Sequence, residues 1–212
     1  DEYQMVAYRQ SRSQPFVTGR TVGSDTLILP QTSELAGQPL RGYQTEQRGK
    51  TYRVLVGCEF SGVVRQAFRD RGYDAWSCDL LPTEDGSPYH IQCDIMSILD
   101  EGWDMAIFHP PCTHLAVSGA RWFADKKREQ EDALEFVRKL LNANIPRIAL
   151  ENPVSIISTR IRKPDQYVQP WQFGHGETKK TGLWLKNLPL LVPTNVVGRM
   201  DDSQHERNVR CC

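Results

Sequence analysis

The chain reads as an α/β protein with a mostly parallel sheet and helices on both faces. Three observations predict this. Short apolar runs of strand length recur between residues 53 and 150. Stretches of helical periodicity separate several of them, as parallel pairing requires. The runs end in polar, chemically useful residues, at the carboxyl ends where open parallel sheets hold their ligands.

Arg53-Val-Leu-Val-Gly57 is a short buried strand. Ser61 is positioned to cap a helix in which Val63, Val64, Ala67 and Phe68 fall at helical spacing, with Gly72 ending it. Ala75-Trp-Ser-Cys78 is a second strand, closed by Asp79. A third unit runs through Ile91-Gln-Cys-Asp94 into a short helical stretch from Ile95 to Leu99. Met105-Ala-Ile-Phe108 is the fourth strand, and an amphipathic helix carrying Ala133, Leu134, Phe136, Val137, Leu140 and Leu141 on one side follows it. Arg147-Ile-Ala-Leu150 is the next strand. A polar loop is expected from Ser155 to Lys180, and Thr181-Gly-Leu-Trp-Leu185 is a late strand.

The 212 residues suffice for one such domain plus an appendage. Residues 1–50 are polar, with scattered arginines (Arg9, Arg12, Arg20, Arg41) and one strand candidate, Thr26-Leu-Ile-Leu-Pro30; they read as an extension. The catalytic domain is expected over 51–190 and a tail over 191–212. Lys plus Arg and Asp plus Glu both number 26, so any nucleic-acid surface is local rather than global. No apolar run approaches the roughly 20 residues that span a bilayer, so no membrane is expected. Six cysteines without framework spacing read as reduced thiols in a cytosol-like compartment, and Cys211-Cys212 does not form a prenylation box.

Chemistry concentrates at the strand ends. Pro110 and Pro111 stop the fourth strand and stiffen the turn that carries Cys112, a good mount for a nucleophile. The next strand delivers Glu151-Asn152-Pro153. The first strand delivers Cys58-Glu-Phe-Ser-Gly62 to a helix N-terminus, a natural cofactor seat whose N–H groups attract an anion. Asp79 is placed to bind ribose hydroxyls and Asp94 to accept from a purine amino group; either residue also serves as an ordinary cap. A metal reading competes for His90, Cys93, His109, Cys112 and His114, but no paired Cys-x-x-Cys is present.

These pieces, in this order, resemble the DNA (cytosine-5)-methyltransferases from about Arg53 to Asn152, and more loosely to Leu188. Phe60-Ser-Gly62 is similar to that family's first glycine motif, Pro110-Pro-Cys112 to its Pro-Cys motif, Ser118-Gly119 to the small residues after it, and Glu151-Asn152 to its Glu-Asn motif. Val63, Val64 and Arg65 stand where the family has further glycines, and Thr113 where it usually has glutamine. The resemblance implies a Rossmann-like fold dependent on S-adenosylmethionine. Phe60, Ser61, Gly62, Asp79, Asp94 and Pro110 would line the cofactor seat, with Cys112 as nucleophile and Glu151 as the acid on the pyrimidine. Ser158-Thr-Arg-Ile-Arg162 resembles the family's arginine motif, so Arg160 and Arg162 would hold a phosphate or the pyrimidine carbonyl.

The stretch after Asn152 is too short for a large target-recognition domain. The chain resembles short phage-encoded members, for which the host cytoplasm is the expected location. DNA is the expected substrate, nonspecific or single-stranded, or a protein partner supplies recognition. Trp171-Gln-Phe-Gly-His-Gly-Glu-Thr-Lys-Lys180 combines aromatics and lysines suited to nucleic acid, or is a plain surface loop. Other readings stay open: a noncatalytic nucleic-acid-binding relative, a pyrimidine enzyme with another donor or a free nucleotide, and a zinc protein.

Overall fold

The computed structural model describes residues 51–116 and 127–198. The expected N-terminal extension with its Thr26–Pro30 strand, the Ser118-Gly119 segment and the Cys211-Cys212 pair lie outside the described residues.

Among the described residues seven strands make one sheet: β1 (Arg53–Gly57), β2 (Asp74–Asp79), β3 (His90–Gln92), β4 (Met105–Phe108), β5 (Arg147–Pro153), β6 (Gln166–Val168) and β7 (Thr181–Lys186). Their order is β3-β2-β1-β4-β5-β7-β6. The first five are parallel, while β7 runs antiparallel to both β5 and β6. The chain steps outward from β1 to β3, then crosses back to start β4 on the other side of β1. That reversal opens a crevice at the carboxyl ends of β1 and β4.

Period-two alternation divides each strand between two cores. Val54, Val56, Ala75, Ile107 and Ala149 meet Val64 and Phe68 of α1 (Val63–Arg69) on one face. Leu55, Ala106, Phe108, Ile148 and Leu150 meet Ala133, Leu134, Val137 and Leu140 of α2 (Lys127–Leu141) on the other. Leu134, Val137 and Leu140 are fully buried, and each such side chain contributes about 1.5–3 kcal/mol. Phe136 and Leu141 are only partly buried.

Three expectations need correction. Ser61 is not the helix cap: Gly62 is, in a left-handed conformation with φ 76°. The Val64 N–H is bonded at 2.9 Å by the carboxylate of Glu59, which also accepts from the Ser61 hydroxyl at 2.9 Å. The α1 N-terminus is thus served by a carboxylate of the chain, and an anionic cofactor group would meet like charge there. Secondly, the polar stretch 155–180 holds structure: α3 (Ile157–Arg160), β6 and a 3₁₀ turn over Pro170–Gln172. Thirdly, β5 runs on to Pro153, because β7 pairs with it from Ile148 to Pro153. Glu151 and Asn152 therefore sit on a strand and not in a loop. Over residues 191–198 the chain stays docked: Leu191 N–H donates to Gln166 Oε1 at 2.8 Å, and Val197 N–H donates to the Trp171 carbonyl at 2.9 Å.

Candidate active site

Parallel pairing of Phe108 with Leu150 brings the next residues of both strands side by side. His109 Nδ1 lies 3.4 Å from Glu151 Oε2. The His109 backbone N–H donates to the Gly57 carbonyl at 3.0 Å, which continues the β1–β4 pairing by one residue. One residue further, the buried Asn152 amide donates to the Pro110 carbonyl at 3.0 Å. That bond, added to the proline restriction, sets the direction of the Pro-Pro-Cys turn. The Cys112 carbonyl accepts from Leu115 N–H at 2.9 Å and Ala116 N–H at 2.8 Å, so Cys112 opens a helical turn. Ile156 N–H donates to the Leu115 carbonyl at 2.9 Å, and Ala116 bridges Ser155, tying this turn to the segment after β5. Cys112 itself is exposed and outside any disulfide. A rigid turn thus presents an accessible thiol beside a strand end that carries a half-buried carboxyl group.

The other half of the crevice is formed by β1, β2 and the residues after β3. Cys58 takes a left-handed backbone, φ 60°, which is strained for a residue with a side chain. Burial, then the charges of Asp79 and Asp94, push its thiol far up, so these three groups share one neighbourhood. Asp79 is raised as well, first by burial, against the Leu81 N–H, which donates to its Oδ1 at 3.0 Å. Asp94 is exposed and caps the 3₁₀ turn Ile95–Ser97 by accepting from Met96 N–H at 3.0 Å. The loop after β2 folds back over the glycine turn: Thr83 Oγ1 and Glu84 N–H both donate to the Phe60 carbonyl.

Four buried polar atoms of the strand ends have no partner among the described residues: Glu59 Oε2, His109 Nε2, Asn152 Oδ1 and Ser155 Oγ. Buried polar atoms are normally paired, and exceptions mark sites completed by something else. Acceptors and hydrogen-bonding atoms of this kind fit the hydroxyl and amino groups of a nucleoside-type cofactor. Glu59 and His109 are the residues that sequence reasoning missed. An acid inside the glycine turn and a histidine directly before Pro-Pro were the available signals; His109 was weighed only as a metal ligand.

Arg160 is exposed and donates to Glu131 on α2 at 2.8 Å. Arg162 donates to Asp165 at 2.8 Å and to the Leu185 carbonyl at 3.1 Å, which pins it against β7. In the 171–180 stretch Phe173 is buried, and the Lys180 ammonium lies 4.3 Å from the exposed Tyr167 ring centre. Both ring nitrogens of His90 are engaged, by Ser77 Oγ and the Leu81 carbonyl, each at 2.9 Å. Among the described residues no three His, Cys, Asp or Glu side chains gather as a metal ion would need.

No family model matches the chain, and no curated protein matches it. Solved structures overlap it at low identity. A candidate DNA modification methyltransferase encoded within an E. coli prophage is 15% identical with a TM-score of 0.42, over 64% of this chain and 46% of that one. A delta-N METTL16 MTase domain is 13% identical with a TM-score of 0.41, over 71% of this chain and 78% of that one. The chain thus spans less than half of the first of these. The strand order and the reversed β7 make the architecture an α/β, Rossmann-like methyltransferase fold. No helix among the described residues is long and apolar enough to cross a membrane.

Proposed function

We propose that the protein is an S-adenosylmethionine-dependent methyltransferase that acts on carbon 5 of cytosine in DNA through a covalent adduct of Cys112. The observation that carries this reading is the pairing of an exposed thiol on a Pro-Pro turn with a half-buried Glu151 on the adjacent strand, the two joined by the Asn152–Pro110 bond. The cofactor seat is assigned to Phe60, Ser61, Gly62, Asp79, Asp94 and Pro110, with Glu59 added. Asp79 suits ribose hydroxyls and Asp94 the purine amino group; Glu59 Oε2 suits an ammonium group. When bound, S-adenosylmethionine supplies an electrophilic methyl group.

Carbon 5 of cytosine is a weak nucleophile. The Cys112 thiolate forms a bond from sulfur to carbon 6, the C5–C6 π pair shifts toward carbon 5, and N3 takes the proton of Glu151. Once carbon 5 carries its new substituent, its proton passes to solvent water, the C–H pair forms the C5–C6 double bond, Cys112 leaves carbon 6 as thiolate with the S–C6 pair, and N3 returns its proton to Glu151. A duplex target must first leave the stack, which costs a few kcal/mol. A single-stranded or already distorted site, or a protein partner that opens the duplex, lowers that cost. Arg160 is assigned to a phosphate: exchanging an exposed ion pair for another costs little. Arg162 is assigned a supporting role beside it.

The test is transfer of labelled methyl from S-adenosylmethionine to single- and double-stranded DNA, followed by digestion to nucleosides. Label in 5-methylcytosine, reduced to background in Cys112→Ala, is expected. Label on the exocyclic nitrogen, or wild-type activity in Cys112→Ala, would exclude the covalent route.

A further inference from the structure

We propose that His109 and Glu151 work as one proton-holding pair, with His109 the positioning residue that keeps Glu151 able to protonate the substrate ring. The inference rests on the cytosine reading above and assigns a role to a residue outside it. Two independent observations support it. The first is geometric: strand register and the His109–Gly57 backbone bond hold Nδ1 3.4 Å from Glu151 Oε2, with the side chains only 14% and 21% exposed. The second is the other ring nitrogen, which is buried and has no partner among the described residues. A structural histidine would satisfy both nitrogens, as His90 does. His109 spends one on the acid and keeps one for whatever enters the crevice.

The chemistry explains why an acid here needs an imidazole. N3 must receive a proton at the moment the Cys112 thiolate adds. An ordinary carboxyl group releases its proton near pH ~4.3, whereas an ordinary thiol forms thiolate near ~8.5. A lone glutamate would thus be spent at the pH where the nucleophile becomes available. An imidazole holds a proton to about pH 6.5 unaided, and a neighbouring carboxylate extends that range. A pair sharing one proton titrates as a unit, and either member can hold the proton until N3 draws it from Glu151. The balance is simple. The proton leaves the pair for N3 as the S–C6 bond forms and returns when that bond breaks. Other titratable groups stand at the same strand ends: Cys58 and Glu59 after β1, Cys112 and His114 on the turn after β4.

The first test needs no substrate. Imidazole resonances of the full chain are titrated by NMR in wild type and Glu151→Gln, with His109→Gln to assign the signal. The pH dependence of the His109 signal should differ between wild type and Glu151→Gln, because the substitution replaces the carboxylate that lies 3.4 Å from Nδ1. An unmoved midpoint overturns the pair. The second test is the pH profile of covalent adduct formation with DNA containing 5-fluorocytosine. His109→Gln keeps a donor for Glu151 but carries no exchangeable charge. It should lose the upper pH limb and about 10²-fold in rate at pH 8, the lower end of what general acid catalysis contributes, with little change in DNA affinity. A rate that falls equally at every pH, in step with lost thermal stability, would mark His109 as merely structural. Coupling by NMR without any wild-type adduct would leave the pair standing and remove the cytosine reading. Adduct formation with uncoupled titration would do the reverse.

Discussion

Replacing Gly62 by alanine should damage the cofactor seat through a buried arginine. Gly62 has φ 76°, a region costing a residue with a Cβ about 1–2 kcal/mol. The added Cβ would press on the Arg65 guanidinium and sit 2.8 Å from Asp85 Oδ2. That guanidinium has little room to retreat. Arg65 is fully buried, ion-paired with Asp85, and donates from Nη1 to Ser77 Oγ at 3.0 Å. Ser77 bonds His90 Nδ1 and His90 Nε2 bonds the Leu81 carbonyl, each at 2.9 Å. The carbonyl can only accept, so Nε2 carries the hydrogen, Nδ1 accepts from Ser77, and Ser77 accepts from Arg65. Breaking a fully buried pair costs about 3–5 kcal/mol, and the exposure of Asp85 cuts the share lost here to about 1–2 kcal/mol. The sum, about 2–4 kcal/mol, lowers Tm by roughly 5–15 °C in a protein of this size. Calorimetry on Gly62→Ala measures the drop, and titration calorimetry with S-adenosylmethionine should show weakened binding. A Tm within about 2 °C of wild type, well below the shift expected for that loss, together with unchanged affinity, would refute the reasoning.

Three further outcomes are expected. Burial works to raise Asp85, but hydrogen bonds from Thr83 and Ser87 and the Arg65 charge outweigh it and hold its carboxyl group below the ordinary value. The stability it contributes is therefore complete above about pH 4 and lost as pH falls through the lower folded-state value; Asp85→Asn should melt below wild type at pH 7, with the gap closing under acid. Asn152→Ala removes the buried bond to Pro110, costing about 1–3 kcal/mol by thermal melting, and should slow labelled-methyl transfer more than Tm alone accounts for. Iodoacetamide on the folded protein, read by peptide mass mapping, should modify exposed Cys112 before Cys58 and Cys78; burial pushes up both of those thiols, with the charges of Asp79 and Asp94 adding to the first and Cys93 to the second. Earlier labelling of Cys58 would contradict the described packing.

Strands β1, β2, β4 and the start of β5, with the helices α1 and α2, were legible because each carries a run or a period long enough to signal itself; β3, only His90–Gln92, was placed late, over Ile91–Asp94. Arg147–Leu150 reads as a strand from its apolar residues alone, but its continuation through Glu151 and Asn152 depends on β7, a partner some thirty residues later. β6 was illegible for a related reason: Gln-Tyr-Val shows no alternation, and three residues become a strand only by pairing with β7. The Pro-Pro-Cys turn and the Glu-Asn pair were readable as chemistry, since stiff backbone and reactive side chains occur together in each. The pairing of His109 with Glu151 needed the β4–β5 register. Glu59 shows the opposite case, an acid next to a glycine turn whose carboxylate folds back to hold Val64 N–H. Its neighbour Ser61 was the better cap by composition, and geometry reversed the roles.

The most direct test of the account is covalent trapping. The protein is mixed with S-adenosylmethionine and DNA in which 5-fluorocytosine replaces the target base, then denatured and mapped by mass spectrometry. Fluorine at carbon 5 blocks the final elimination, so a working nucleophile stays attached. The account predicts a denaturation-resistant adduct on Cys112 that requires the cofactor and is lost in Cys112→Ala. A folded, cofactor-binding protein that forms no adduct with any DNA form, or one that traps on another residue, would contradict it.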